Sequence, residues 1–303
     1  MPERNVGHSP SCVLPVISKG THQMRKSLTL LASGIATAIA LTACGGSSTS
    51  SSEVKALDPA NPVTLTVGAS PVPHAKILEF VNQELAPKAG LKLDIKEIED
   101  YQTPNTALSD GSLDANFYQH LAWYEDQVKT KGYDFGHGEG VHIEPYAAFS
   151  EKVKDIKEIG DGAKVAITND PSNQVRALKV LQVAGLVKDI KDDTSVLNLT
   201  DAQNPKKLKF SENQPELLIN DLKDPSVDLA LINGNFILKA GLSTKDALAV
   251  ESIDGNPYAN FLAWRADSKD DARIKKLDEL LHSPEVKAFI EKEWPNGDVT
   301  PAF

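Results

Sequence analysis

A change of hydrophobic period, repeated along the chain, limits what this sequence can fold into. Val63, Leu65 and Val67 alternate with threonines, the period of a strand with one buried face. The run ends at Gly68-Ala69-Ser70-Pro71, and Ile77, Leu78, Val81 and Leu85 then recur at helical spacing. Leu91, Leu93 and Ile95 return to alternation. A helical stretch around Thr106–Ser109 leads through Gly111 to a short strand at Leu113–Asn116. A helix follows from about Gln119 to Thr130, closed by Lys131-Gly132. Alternation of this kind predicts an α/β fold with a largely parallel sheet.

The pattern restarts after Pro145. Val165–Ile167 read as a strand ending in Thr168-Asn169-Asp170-Pro171-Ser172-Asn173. A helix follows, with Ala177, Val180, Leu181 and Ala184 on one face and Gly185 as its cap. Val227–Ile232 form another strand, stopping at Asn233-Gly234-Asn235, and Ala247–Val250 one more. After Gly255-Asn256-Pro257, a strand at Asn260–Trp264 and helices around 270–282 and 284–293 complete the chain. Joints near 145 and 256 divide domain I (63–145 plus 257–303) from domain II (146–256), so that the backbone crosses twice. Ligands of α/β sheets sit beyond the carboxyl ends of strands, where 168–173 and 233–235 fall, and a cleft between the domains is the expected site.

The first part of the chain reads as an export signal. Met24-Arg25-Lys26 is followed by an apolar run from Leu28 to Leu41, too short to span a bilayer, and then by Thr42-Ala43-Cys44. Leu41-Thr42-Ala43-Cys44 resembles the bacterial lipobox, which predicts a signal peptide over 24–43, cleavage before Cys44 and lipidation of that cysteine, as with palmitate. Residues 1–23 do not suit a position ahead of such a signal and are set apart as a mis-annotated leader. Residues 44–62 are a Ser-rich tether, flexible and solvated. The expected place is the cell membrane, lipid-anchored and facing outside the cytoplasm. Cys12 falls in the leader and Cys44 carries lipid, so no disulfide is expected. A net charge of −10 argues against a nucleic-acid partner, which needs a basic face.

The segment Asp114-Ala115-Asn116-Phe117-Tyr118-Gln119-His120-Leu121-Ala122-Trp123-Tyr124 holds four of the chain's eighteen aromatics (nine Phe, six Tyr, three Trp). Aromatics mixed with Asn, Gln and His give walls that are apolar in body and polar in detail, as small-molecule pockets are. The plainer reading is a core strand running into an amphipathic helix, with His120 a core histidine.

Further motifs weigh on that choice: Asp100-Tyr101-Gln102-Thr103-Pro104-Asn105, Asn169-Asp170-Pro171-Ser172-Asn173-Gln174-Val175-Arg176, Leu231-Ile232-Asn233-Gly234-Asn235-Phe236 and Pro257-Tyr258-Ala259-Asn260-Phe261. With the aromatic segment they resemble, in order, the NlpA-type lipoproteins, the methionine-binding proteins of bacterial ABC importers. The resemblance implies a two-domain periplasmic-binding-protein fold with its ligand in the interdomain cleft. It implies capture of methionine (L- and/or D-), delivery to permease and ATPase subunits, no enzymatic activity and no cofactor. It also implies that Tyr101, Tyr118, His120 and Trp123 line the pocket, that Arg176 holds the ligand carboxylate, and that Asn233 and Asn260 bind the amino-acid head group. The chemistry agrees. Arg matches a carboxylate bidentately, Asn accepts from an ammonium without adding charge, and a thioether packs well on aromatic rings. As an inward-facing residue in the first turn of its helix, outside the core, Arg176 is expected to be dispensable for folding. The sequence departs from the family where Tyr118 replaces a usual Phe and Ala122-Trp123 a usual Pro-Tyr. A Met-containing dipeptide or another apolar amino acid is therefore the alternative ligand.

Other classes find less support. A zinc-uptake protein could use His74, His120, His137 and His142, but these show no close ligand pairing and no metal is expected. No nucleophile elbow, phosphate loop or metalloprotease helix occurs, and Gly136-His137-Gly138-Glu139-Gly140 reads as a flexible turn. A non-transport surface lipoprotein, an adhesin or signalling partner, would need no closed pocket.

Overall fold

Two mixed sheets take up the apolar runs. The computed structural model describes residues 57–303; Cys12, Cys44, the expected leader and signal peptide and most of the tether lie outside them. β1 (Val63–Ala69) leads into a helical stretch whose centre is α1 (Lys76–Phe80), flanked by wider turns at Pro71–Ala75 and Val81–Leu85. β2 (Leu91–Glu97), α2 (Thr103–Ser109), β3 (Ala115–His120), α3 (Leu121–Lys131), β4 (Phe135–His137) and β5 (His142–Ile143) follow. The second sheet and its helices comprise β6 (Ala147–Phe149), β7 (Lys164–Thr168), α4 (Pro171–Val183), β8 (Lys209–Asn213) and α5 (Leu218–Asp221). They continue with β9 (Leu229–Ile232), α6 (Gly234–Lys239) and β10 (Ala249–Val250). β11 (Asn260–Arg265), α7 (Ala272–Leu281), α8 (Pro284–Glu293) and β12 (Thr300–Pro301) return the chain to the first sheet.

The first sheet runs β12-β5-β11-β3-β1-β2 with β4 also on β11, and the second runs β10-β6-β9-β7-β8. Neither is largely parallel, contrary to the reading from alternation. β1 pairs β2 and β3 in parallel, and β7 pairs β8 and β9 in parallel, because helices or long loops connect them. β11 reaches the first sheet directly from the second, with no helix to carry it back, and so runs antiparallel to β3, β4 and β5. β6 enters the second sheet the same way and is antiparallel to β9. The chain changes sheet between Ile143 and Ala147, and again between Val250 and Asn260.

Each sheet has its own apolar filling. Leu65 and Val67 of β1 pack with Leu262 of β11 and with Ile77, Leu78, Ile274, Leu277, Val286 and Ile290 from the helices around the first sheet. Val165, Ile167, Leu229 and Leu231 pack against Ala177, Val180 and Leu181 of α4, on the face read from its helical spacing, and Leu178 joins them.

Several boundaries move. β3 extends to His120 instead of stopping at Asn116, because Gln119 and His120 pair with Phe261 and Asn260 across the ladder to β11. α3 therefore begins at Leu121, and His120 caps it by accepting the Trp123 N–H on Nδ1 at 3.3 Å. Phe135–His137, at the start of the expected flexible turn, pairs with Ala263–Arg265 of β11. No helix of the described residues is long and apolar enough to cross a membrane.

Candidate ligand-binding site

The carboxyl ends of β3, β7 and β9 converge on one small cavity of about 20 Å³. All seven residues singled out in the sequence line it: Tyr101, Tyr118, His120, Trp123, Arg176, Asn233 and Asn260. The fold thus brings together residues from five segments of the chain.

The aromatic wall is held by its own polar atoms. The Trp123 indole N–H donates to the Tyr118 hydroxyl at 3.0 Å, and that hydroxyl donates to the Tyr101 carbonyl at 3.1 Å. Tyr101 in turn donates to Asn235 Oδ1 at 2.6 Å, which ties the loop before α2 to α6. The ring centroid of Tyr101 lies 6.0 Å from that of Tyr118 and 5.9 Å from that of Trp123, the spacing of interacting aromatic pairs. The two residues expected to depart from the family pattern, Tyr118 and Trp123, thus partner each other through one hydrogen bond.

Opposite this wall, α4 supplies the cation. Asp170 caps the helix by accepting the Asn173 N–H at 2.8 Å, and Pro171 occupies the first helical position, where its missing donor costs nothing. The helix consequently begins earlier than the sequence suggested, and Arg176 is its sixth residue, in the second turn. Arg176 is 3% exposed. Its Nε donates to both Glu251 oxygens at 2.8 and 2.9 Å; Nη2 donates to Glu251 Oε2 and to the Glu144 carbonyl, each at 2.6 Å. The guanidinium also lies 4.5 Å from the Tyr258 ring centroid and 5.4 Å from that of Tyr146. Among the described residues, Nη1 carries no hydrogen bond.

Asn173 links the two sheets. Its Oδ1 accepts from Asn233 Nδ2 at 2.9 Å and lies 3.1 Å from His120 Nε2. Since His120 Nδ1 accepts the Trp123 N–H, the ring proton sits on Nε2 and is donated to Asn173. Burial, with the Arg176 charge nearby, lowers His120 to about 3, so the ring is neutral at pH 7. Asn233 Oδ1 is buried with no partner.

Sequence reasoning missed His74, Glu144, Asn173 and Glu251 as parts of the site. Glu144 Oε1 lies 2.8 Å from His142 Nε2 and 3.2 Å from His74 Nε2, and His74 Nε2 also lies 3.2 Å from Asn260 Oδ1. Gly234 permits this approach: a Cβ there would stand 2.6 Å from the Glu144 Cβ. The available signal was an acid, Glu144, inside the apolar run Val141–Tyr146 at a domain joint. His74, His142 and Glu144 offer ligand atoms within 4.8 Å of one another, so the fold creates the close pairing that the spacing lacked. His120 and His137 stay outside this group. A metal on the two Nε2 atoms would require each Nδ1–H to donate outward, yet both Nδ1 atoms are buried without a partner. The arrangement suits two neutral rings donating Nε2–H to a carboxylate. Burial lowers His74 to about 4 and His142 to about 3, in keeping with neutral rings.

The comparisons fit this geometry. The model of the NlpA lipoprotein family matches residues 65–303. The chain belongs to the NlpA lipoprotein family. The methionine-binding lipoprotein MetQ of Bacillus subtilis (strain 168) is 39% identical over 241 residues, 78% of this chain and 87% of that protein. The D-methionine-binding lipoprotein MetQ of Salmonella typhi is 35% identical over 245 residues, 80% and 90% of the two chains. Among solved structures, a lipoprotein from Actinomyces odontolyticus ATCC 17982 aligns with a TM-score of 0.75 at 48% identity, covering 80% of this chain and all of that one. A nutrient-binding protein from Burkholderia cenocepacia bound to methionine aligns with a TM-score of 0.73 at 41% identity, covering 79% of this chain and all of that one.

Within this NlpA-family chain, Arg176 has a structural duty that its sequence position did not reveal. It lines the cavity and is also a buried, paired cation, which argues against its being dispensable for folding. Arg176→Ala would strand Glu251 in a site where that carboxylate is 13% exposed. Removing one partner of such a pair costs about 3–5 kcal/mol. Urea denaturation of the ligand-free variant should show a loss of that size, and a loss within the error of the extrapolation would contradict the assignment.

Proposed function

We propose that this chain is an extracytoplasmic substrate-binding lipoprotein that captures methionine and hands it to an ABC importer. The observation that carries the reading is the pairing, in one enclosed space, of a buried guanidinium with one free N–H edge and an aromatic wall. Arg176 Nη1 would take the ligand carboxylate, while the Glu251 pair keeps the guanidinium in place. Tyr101, Tyr118 and Trp123 would receive the thioether, and Asn233 and Asn260 the head group. The chain is a binding protein of a transport family, not an enzyme.

Each sheet with its helices would move as a domain, 63–145 plus 257–303 against 146–256, closing on the ligand. The permease and ATPase subunits of the importer would be its partners, and a lipid on Cys44 its anchor. The aromatic wall lies at the ligand's side-chain end, where a second carboxylate would have no cation.

Methionine should therefore stabilise the purified protein more than leucine, and glutamate least. At about a hundred times its dissociation constant methionine should add roughly 2.7 kcal/mol, read as a rise in melting temperature. A panel in which no amino acid or dipeptide moves the melting temperature would sink the reading. For the anchor, wild-type protein from cells should enter the detergent phase on phase partitioning and Cys44→Ser should not; wild type staying in the aqueous phase would refute lipidation.

A further inference from the structure

Asp298 is a buried carboxylate outside the ligand cavity. It is 7% exposed and lies just before β12, in the segment that joins α8 to that strand. Its Oδ1 accepts the Thr244 N–H at 2.7 Å and the Thr244 hydroxyl at 2.6 Å. The Ser243 hydroxyl donates to Oδ2 at 3.0 Å and also lies 3.1 Å from Oδ1. Among the described residues no cation partners this carboxylate. Beside it, Lys245 Nζ donates to Asn296 Oδ1.

The two sides of this contact belong to different sheets. Val299, next to Asp298, is buried in the filling of the first sheet. Leu242 and Ala247, on either side of Ser243 and Thr244, pack with Ala166, Ala230 and Ile232 of the second. Both sides also stand where the chain changes sheet. β12 pairs with β5 at Ile143, where the first crossing begins, and β10, which follows Thr244, pairs with β6 at Ala147, where it ends. Gly297 faces the second crossing, since a Cβ on it would stand 3.9 Å from Ile253 Cδ1. Two covalent crossings give the domains a line about which to turn. A third tie beside that line resists twisting and sliding of one domain on the other while permitting the turn. Stripping a buried carboxylate of its donors is costly, so the tie persists as the domains move.

We propose that Asp298, through Ser243 and Thr244, is a non-covalent third strand of the hinge and a positioning residue for ligand capture. It touches no ligand. It keeps Arg176 and Asn233 of one domain in register with Tyr118 and Trp123 of the other as the cavity opens and closes. This rests on reading the two sheets as domains that close on a ligand. The contact is a pivot, made in both states, and not a latch made in one.

The test reads interdomain distances by pulsed electron paramagnetic resonance in full-length protein. Spin labels are attached to p-azidophenylalanine placed at the exposed positions Lys92 of β2 and Lys209 of β8, so that the native cysteines stay untouched. Without ligand, Asp298→Ala should give a broader distance distribution than the protein with Asp298 intact. Its affinity for methionine in calorimetric titration should fall about threefold or more, because fewer molecules are competent to close. In the wild type the Thr244 amide should exchange slowly with deuterium both with and without methionine. Equal widths overturn the proposal, as does unchanged affinity, and a Thr244 amide protected only with methionine makes the contact a latch and overturns the pivot. If Asp298→Ala does not fold, Ser243→Ala/Thr244→Val, which removes the hydroxyls and leaves the carboxylate, decides by the same widths. A wild type in which methionine neither binds nor shortens the distance counts against the functional reading, and the ligand-free widths still decide the tie.

Discussion

A buried guanidinium must be paired, and in this protein the pairing holds both places where the backbone passes from one sheet to the other. Arg176 grips the Glu144 carbonyl, in the first crossing, and the Glu251 carboxylate, in the second. It does so from α4, whose start is fixed by the Asp170 cap and Pro171. The cation that would read a ligand carboxylate is thus also the fastener of the joint. Such a pair gains little over apolar packing, because desolvation offsets its attraction, but it is unforgiving of losing one member. That favours a single geometry at the joint over a range of them.

The aromatic wall shows the same coupling of structure and site at smaller scale. A tyrosine hydroxyl buried against apolar surface is costly unless bonded, and an indole N–H equally so. Placing Tyr118 and Trp123 within 3.0 Å satisfies both at once. The Tyr118 hydroxyl has a further partner in the Tyr101 carbonyl. The Trp123 N–H and the Tyr118 and Tyr101 hydroxyls are thereby all used within the protein.

What the sequence disclosed depended on range. Regular alternation made β1, β2 and β7 legible, and helical spacing the buried face of α4. β8, with the sequence Lys209-Phe210-Ser211-Glu212-Asn213, sits at a sheet edge and is too polar to announce itself; β4, β5 and β12 are only two or three residues long. The seven expected site residues were readable because they lie in local motifs. Their partners were not: Glu251 is 75 residues from Arg176, Asn173 is 60 from Asn233, and no local pattern links such pairs. The same blindness made Arg176 look dispensable and the histidines look scattered. His74 and His142 are far apart in sequence, yet their ring centroids stand 4.7 Å apart.

In the proposed complex a free amino acid lies with its carboxylate on Arg176 and its side chain against Tyr101, Tyr118 and Trp123. A crystal structure of the protein with methionine tests it most directly. The ligand carboxylate should lie about 2.7–2.9 Å from Arg176 Nη1, with the Nε–Nη2 edge still on Glu251 and the rest of the head group on Asn233 and Asn260. Methionine bound with its carboxylate away from Arg176, or an empty cavity at saturating methionine, would contradict it.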